Sequence, residues 1–467
     1  MKISVGSDSV PRRAVTIRFV PKDARGKITP AVGEAEFSGK KNALFYARVE
    51  RMLYVGLGDR SGMDGATFRA AAGTATLHLK KIGVHHLALR LEEWPEFAGP
   101  AVEGALLADY RFERFKTRQT PALAGLSVQV RAEDVRAAKR AASRAQIIAE
   151  TTNLVREIGN LPGNVLYPAT LAEKAKKIAH RYQLKISILD DKILHKRKFG
   201  GILAVGQGSV RPPRLIVLEH RGGPKSQAPV ALVGKAITFD TGGISIKPAA
   251  NMEEMIFDKC GGIAVLGAMA ALAALGVKRN VVGIIASAEN MPGGNAYRPG
   301  DIITTYDGKH IEIINTDAEG RVVLADAIAY ARRDCGAAGI IDLATLTGAC
   351  GVALGEYAAG FWSNDDWLRN HVLTAAETAG ERLWLMPLFE DYETQIKSEV
   401  ALIKNSGGRL GGACTAAAFL KTFAEETPWA HLDIAFTGYR EKDKPDLARG
   451  ATGFGIRTLV ELVERWK

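Results

Sequence analysis

Two kinds of hydrophobic patterning divide the chain. Before about residue 130, short apolar alternations at 44–55 and 77–89 (LHLKKIGVHHLAL) mix with helical patches and predict a small α/β unit. The Ala-rich run at 131–158, RAEDVRAAKRAASRAQIIAETTNLVREI, spaces its apolar residues for a helix, holds no Gly or Pro, and stops at Gly159 and Pro162. It predicts one long connecting helix. From about residue 163, apolar runs at 215–218, 230–233, 281–285, 340–343 and 431–435 alternate with helical segments such as 261–275 and 321–333. Runs that are apolar throughout suit strands buried on both faces, so the second part is expected to hold a mostly parallel sheet covered by helices on each side. The expected fold class is α/β. A smaller N-terminal α/β domain spans 1–130, a linker helix 131–162, and a larger C-terminal α/β domain with the mostly parallel central sheet 163–467.

Composition narrows the function classes. A chain of 467 residues has room for two or three domains, and its 47% hydrophobic and 24% charged residues match soluble globular proteins and not disordered ones. Apolar runs such as 263–275 are short and broken by Gly and Ala, and the opening MKISVGSDSVPRRAV has no unbroken apolar core, so neither a membrane span nor a secretory signal is expected. The cysteines Cys260, Cys335, Cys350 and Cys414 lie far apart without a CxxC pair, as suits a cytoplasmic protein. The net charge of +11 is unevenly placed: residues 1–200 carry 35 Lys+Arg against 20 Asp+Glu, the remainder 27 against 31. That asymmetry makes nucleic acid a secondary candidate partner, but KILHKRK (192–198) lacks the interleaved aromatics of single-strand binders, and a solvated face is the commoner source of such charge.

The chemistry gathers in seven polar residues at Gly-rich strand exits. They are Lys235, Asp240 and Lys247 in VGKAITFDTGGISIKP (233–248), Asp258 in MIFDKCGG (255–262), and Asp317, Glu319 and Arg321 in NTDAEGR (315–321). Each alone has an ordinary explanation, Asp317 as a helix N-cap, Glu319 as a first-turn acid, the lysines as solvated charges. Independent caps and surface charges, however, need not fall at successive strand exits. Gly242 and Gly243 permit the tight turn that delivers Lys247, and if 315–319 is extended, Asp317 and Glu319 point the same way. Carboxylates crowded together repel unless a cation neutralises them, and several of them argue for two divalent ions sharing an activated water. The nine histidines form no HExxH, and no GxSxG elbow supports a serine nucleophile. A dinuclear phosphoesterase is the alternative user of such carboxylates; a lysine ligand and the lack of histidine count against it.

The segment NTDAEGRVVLADA (315–327) strongly resembles the signature of the leucine aminopeptidase, or cytosol aminopeptidase, family of dinuclear metallo-aminopeptidases. Around it ENMPGGNAYRPGDI (289–302), ATLTGAC (344–350), GGRLGGACTAAAFL (407–420), WAHLDIA (429–435) and GATGFGIR (450–457) stand in the family's order, covering the chain from about 150 onward. Before 150 only fragments such as YVGLGDR (54–60) match. The resemblance implies that Lys235, Asp240, Asp258, Asp317 and Glu319 ligate two divalent ions per subunit, Asp240 and Glu319 shared between them. Zn or Mn is expected, with Mg or Co possible at the exchangeable site. It implies further that Lys247 polarises the scissile carbonyl and that Arg321 holds a bicarbonate acting as general base on a metal-bridging hydroxide. A side-chain pocket of Met255, Thr345, Gly348, Ala435 and Gly438 follows, suited to Leu-like N-terminal residues of peptides, within a cytoplasmic homohexamer built as a dimer of trimers. Two departures bear on side-chain preference: Lys259-Cys260-Gly261-Gly262 where the family usually continues as MxGAA, and Phe436 with Gly438 where small residues and Ala are usual.

Overall fold

The computed structural model describes residues 1, 3–7, 11, 13–24, 37–444 and 447–466. They form two compact units, Met1–Asn153 with Glu441–Arg449, and Leu154–Arg440 with Gly450–Lys467.

The first unit is built on strands β1 (Ile3–Gly6), β2 (Val15–Pro21), β3 (Leu44–Ala47), β4 (Met52–Gly58), β5 (His86–Arg90) and β6 (Gly125–Gln129), in the order β1-β6-β5-β2-β4-β3. All neighbours run parallel except the edge strand β3. The alternation at 44–55 is thus two antiparallel strands, reversed through a turn in which Arg51 has φ 52°. The run at 77–89 is not one strand: residues up to Lys81 finish the helix Gly65–Lys81, and only His86–Arg90 is extended. Leu79 lies fully buried on the same helix face as Ala72 and Ala75, so packing decides its conformation where local alternation suggests a strand. The long helix is observed as Val135–Gly159, preceded by a 3-10 turn at Ala132–Asp134.

The second unit holds strands β7 (Lys185–Leu189), β8 (Arg214–Arg221), β9 (Val230–Asp240), β10 (Asn280–Asn290), β13 (Gly339–Ala344), β14 (Ala359–Ser363), β15 (Leu383–Leu385) and β17 (Trp429–Asp433) in one sheet. Their order is β15-β14-β17-β13-β9-β10-β8-β7. A small sheet of β11 (Ile302–Thr304), β12 (His310–Glu312) and β16 (Ile403–Lys404) and a ribbon of β18 (Tyr439–Arg440) and β19 (Gly450–Ala451) flank it. The central strands β10, β9, β13 and β17 are parallel, and the outer pairs β8–β10 and β14–β17 are antiparallel. Alternate side chains of β9 serve two helical layers. Ala231, Val233 and Ile237 join the core containing Val322 and Val323 of the helix Glu319–Arg333, whereas Gly234 and Ala236 meet Gly262 of the helix Cys260–Leu275. The helical stretch Met252–Leu275 is 24 residues long and apolar enough to pass for a membrane span, longer than the run at 263–275 suggests. Since 83% of its apolar window is buried inside the protein, its composition is accounted for by the core.

The parallel strands end side by side, at Asp240, Asn290, Ala344 and Asp433. Such an edge is where ligands of parallel α/β sheets bind. Strand β9 runs seven residues beyond the expected 230–233, so Lys235 and Asp240 lie within the strand and do not follow it. Leu232, fully buried between Gly283 of β10 and Ile341 of β13, tests how far this layer depends on packing. Leu232→Ala should cost about 2–5 kcal/mol, seen as a lower urea midpoint for the unit that contains it.

Candidate metal centre

Lys235 emerges from the middle of β9 with its ammonium almost wholly buried and all three donors engaged. It donates to Asp258 Oδ1, Glu319 Oε1 and the Thr345 carbonyl, each at 2.8 Å. Five residues on, Asp240 closes the strand. Its Oδ1 accepts from Gly242 N at 2.9 Å and Asn290 Nδ2 at 2.8 Å, and its Oδ2 faces Lys247 Nζ at 2.9 Å. The turn through Gly242 and Gly243, both at positive φ (84° and 66°), returns Lys247 to this spot, where it also pairs with Asp317. Carboxylate oxygens of Asp240, Asp317 and Glu319 lie within 4.8 Å of one another.

Asp317 and Glu319 converge for a different reason from the one their spacing suggests. The segment is not extended: Thr316–Ala318 is a 3-10 turn, capped by Asn315 Oδ1 accepting from Asp317 N at 2.8 Å, and Glu319 opens the helix Glu319–Arg333. The turn and the first helical residue aim both carboxylates at the same place. Gly320 completes the fit, because a Cβ there would stand 2.6 Å from Lys235 Cε and 2.7 Å from its Nζ. Asp258 ends the 3-10 helix Met252–Phe257; its Oδ1 also accepts from Thr345 Oγ1 at 2.8 Å, while its buried Oδ2 has no hydrogen-bond partner among the described residues. Arg321, the third residue of the helix, is buried; Nη1 donates to the Asn405 carbonyl at 2.9 Å and Nε has no partner among the described residues.

The five candidate pocket residues sit around the same edge. Thr345 follows β13 and contacts Asp258, and Gly438 lies against it, with room for a Cβ only 3.3 Å from Thr345 Cγ2. Ala435 N donates at 3.1 Å to Asp433 Oδ1, which also accepts from Leu346 N at 3.1 Å. Gly348 begins a short helix whose cap, Thr347, donates its hydroxyl to Asp433 Oδ2 at 2.6 Å. Met255 lies one turn before Asp258, its carbonyl accepting from Asp258 N at 3.3 Å. Lys259 does not approach the cluster as a free cation: its fully buried ammonium bonds the carbonyls of Leu161 and Ile256. Phe436 is 40% exposed and covers Gly351.

Burial sets the electrostatics. Removal from water pushes the Asp258 carboxyl well above the usual range, with Glu319 and Asp240 adding to the effect and Lys235 opposing it. Burial, Glu319 and Asp240 push Asp317 up to about 7, with Lys247 opposing. Burial alone would lower Lys235 and Lys247, but the surrounding carboxylates outweigh it and hold both ammonium groups above their ordinary value. Burial lowers Arg321 to about 10, with Glu319 and Asp433 opposing. The cluster of Asp240, Asp258, Asp317 and Glu319 against Lys235 and Lys247 holds four acids and two ammonium groups, an excess of acid that divalent cations would balance.

Several supporting residues carry no signal in their spacing. Asn290, Thr316, Tyr297 and Asn405 bond the backbone that carries the cluster, and Asp433 bonds the backbone of the candidate pocket.

Parallel sheet and acid-rich, lysine-bridged edge together define an α/β metalloenzyme. The family model for the cytosol aminopeptidase family, catalytic domain, matches residues 153–460, and that for its N-terminal domain matches 5–119, where motifs were sparse. A probable cytosol aminopeptidase of Solibacter usitatus is 46% identical over 96% of this chain and 94% of its own length. One of Roseiflexus castenholzii is 45% identical over 93% and 92%. The bottromycin maturation enzyme BotP, also solved in complex with Mn, superposes with a TM-score of 0.86 at 34% identity, covering 97% of this chain and 99% of that one. The chain belongs to the cytosol aminopeptidase family and is a metal-dependent aminopeptidase of the leucyl aminopeptidase type.

Protons compete with a metal for this site. Asp317 takes up its proton as pH falls through about 7, and Asp258 does so from above its normal range, so affinity for a divalent ion should rise between about pH 6 and about pH 8 with proton release. Calorimetry in buffers of different ionisation heat measures both, and a pH-independent affinity would contradict the assignment. Gly320→Ala should displace the Lys235 ammonium and lower bound metal in a protein whose circular dichroism is unchanged.

Proposed function

We propose that the protein removes N-terminal, preferably uncharged or hydrophobic (Leu-like) residues from peptides, with two divalent ions held by Lys235, Asp240, Asp258, Asp317 and Glu319. The observation that carries this reading is the convergence of three acid side chains within 4.8 Å of one another, bridged to Asp258 by the buried Lys235. The residues suit such ions: the donors are oxygen-rich, and the buried, unpartnered Asp258 Oδ2 is an acceptor without a donor. Asp240 and Glu319 would serve both ions, Lys235 and Asp258 the tighter, and Asp317 the more exchangeable. When bound, the ions supply an activated water and polarise the bond under attack. Zn or Mn is the proposed occupant, with Mg or Co at the exchangeable position.

Lys247, between Asp240 and Asp317, offers its ammonium to the oxyanion that develops on the scissile carbonyl. Arg321 presents a buried Nε with no partner, a donor suited to a small planar anion; bicarbonate held there would accept the proton of the attacking water. Met255, Thr345, Gly348, Ala435 and Gly438 form the pocket for the first side chain. A wall of this kind separates neighbours differing by one methylene by only about 1–3 kcal/mol, so specificity should be broad. Residues 1–130 as a separate domain, 131–162 as its linker and 163–467 as the catalytic domain, a homohexameric dimer of trimers, and a cytoplasmic location complete the proposal.

Glu319→Ala and Asp240→Ala should each abolish hydrolysis of leucine amide and lower metal content, read by a metal-reconstituted assay over a panel of aminoacyl amides with a phosphate ester alongside. Full peptidase activity in well-folded, metal-depleted mutant protein would remove the assignment. Faster turnover of the ester than of any amide would favour the phosphoesterase alternative.

A further inference from the structure

Asn290 closes β10 directly beside the end of β9, and the two strands pair Asn290 with Asp240 after a register shift between Ala288 and Asn290. Its side chain is fully buried. Both hydrogens of its amide nitrogen are spent, one on Asp240 Oδ1 at 2.8 Å and one on the Thr316 carbonyl at 3.0 Å. Thr316 immediately precedes Asp317, and Tyr297 also donates to its carbonyl, at 2.8 Å. The Thr316 hydroxyl in turn donates to the Gly242 carbonyl at 2.6 Å and accepts from Ser245 N at 2.8 Å. One amide therefore ties the strand that carries Asp240 to the turn that carries Asp317 and leads into the helix opened by Glu319.

The arrangement also sorts the two oxygens of Asp240. Oδ1 is taken by two donors, Asn290 Nδ2 and Gly242 N, which fix the plane of the carboxylate, and Oδ2 is left facing Lys247 and the cluster. The amide oxygen of Asn290 gains nothing in return: it is buried without a partner among the described residues, against Gly243, where a Cβ would stand 2.7 Å away. An orphaned buried acceptor is a stability cost that an apolar side chain of the same shape would avoid. The value of the residue therefore lies in its donors.

We infer that Asn290 is a positioning residue for the metal pair, holding Asp240 in the orientation that receives a divalent ion and keeping that carboxylate in step with Asp317 and Glu319. This rests on the proposed assignment of Asp240 as a ligand. Hydrogen bonds to ligating carboxylates orient them and tune affinity, and losing one typically weakens metal binding by about 10- to 100-fold.

The test uses the full-length chain stripped of metal and titrated with Mn2+ alone by calorimetry, with the melting temperature of the metal-free protein and kcat and KM for leucine amide at saturating Mn2+ measured in parallel. Asn290→Leu should weaken Mn2+ binding by about 10- to 100-fold while the metal-free melting temperature holds or rises, and added Mn2+ should recover part of kcat with little change in KM. Asn290→Ser, which restores one donor, should fall between Leu and wild type, and it carries the test if the Leu variant does not fold. Wild-type Mn2+ affinity in both variants, or a loss of melting temperature that tracks the loss of activity with affinity unchanged, overturns the inference and makes Asn290 a structural residue only. Asp240→Ala is the control for the underlying site: if it binds Mn2+ as wild type does, the ligand assignment fails, which is a different result from failure of the Asn290 variants.

Discussion

The cluster at the strand ends depends on placing four carboxyl groups where water screens them poorly. Asp240, Asp258 and Glu319 are buried and Asp317 is half-buried, and that burial, with the repulsion of Glu319 and Asp240 added to it, displaces the Asp258 and Asp317 carboxyls upward. The chain answers with two lysines threaded between them, Lys235 from within a strand and Lys247 from a glycine turn. The remaining imbalance favours divalent cations. The same field raises Lys235, so the protein before metal binding is an ion-paired cluster, and any metal that takes Lys235 as a ligand must displace its proton.

The scaffold makes this costly arrangement affordable by distributing it over several elements. No single segment holds more than two of the acids. Asp240 comes from the end of β9, Asp258 from a 3-10 helix, and Asp317 and Glu319 from the junction of a 3-10 turn with a helix. Two of them are then braced by neutral hydrogen bonds from the adjoining strand ends, Asp258 by Thr345 after β13 and Asp240 by Asn290 at the end of β10. Asp433 plays the matching part for the pocket, collecting the amides of Leu346 and Ala435 and the hydroxyl of Thr347 on one carboxylate. Rigid strand ends in a parallel sheet suit this purpose, since their backbone groups are already committed to the ladder.

Much of the second unit was legible in the chain because its strands are apolar throughout: β10, β13 and β17 fall where the runs at 281–285, 340–343 and 431–435 place them, and the long helix ends at Gly159 as its stop signals require. Strand β9 was cut short in that reading because Lys235 and Asp240 break the apolar pattern, and a residue kept for chemistry is the kind that violates it. In the first unit, Leu77 and Leu79 alternate like a strand but belong to a helix, because burial of Leu79 against the unit's core outweighs the local alternation.

By itself the sequence determined which side chains carry charge at strand exits, and their crowding among glycines was enough to name a carboxylate–lysine centre. Only the tertiary structure decided how they meet. Asp317 and Glu319 converge through a 3-10 turn and a helix start, not through an extended segment, and Lys259 is drawn away from the cluster by two backbone carbonyls. Neither Asn290 nor Asp433 announces its partners along the chain, because a hydrogen bond between strands 50 or more residues apart leaves no local periodicity to read. Charge and apolar rhythm are properties of short segments; the direction of a carboxylate lone pair is settled by neighbours that only folding supplies.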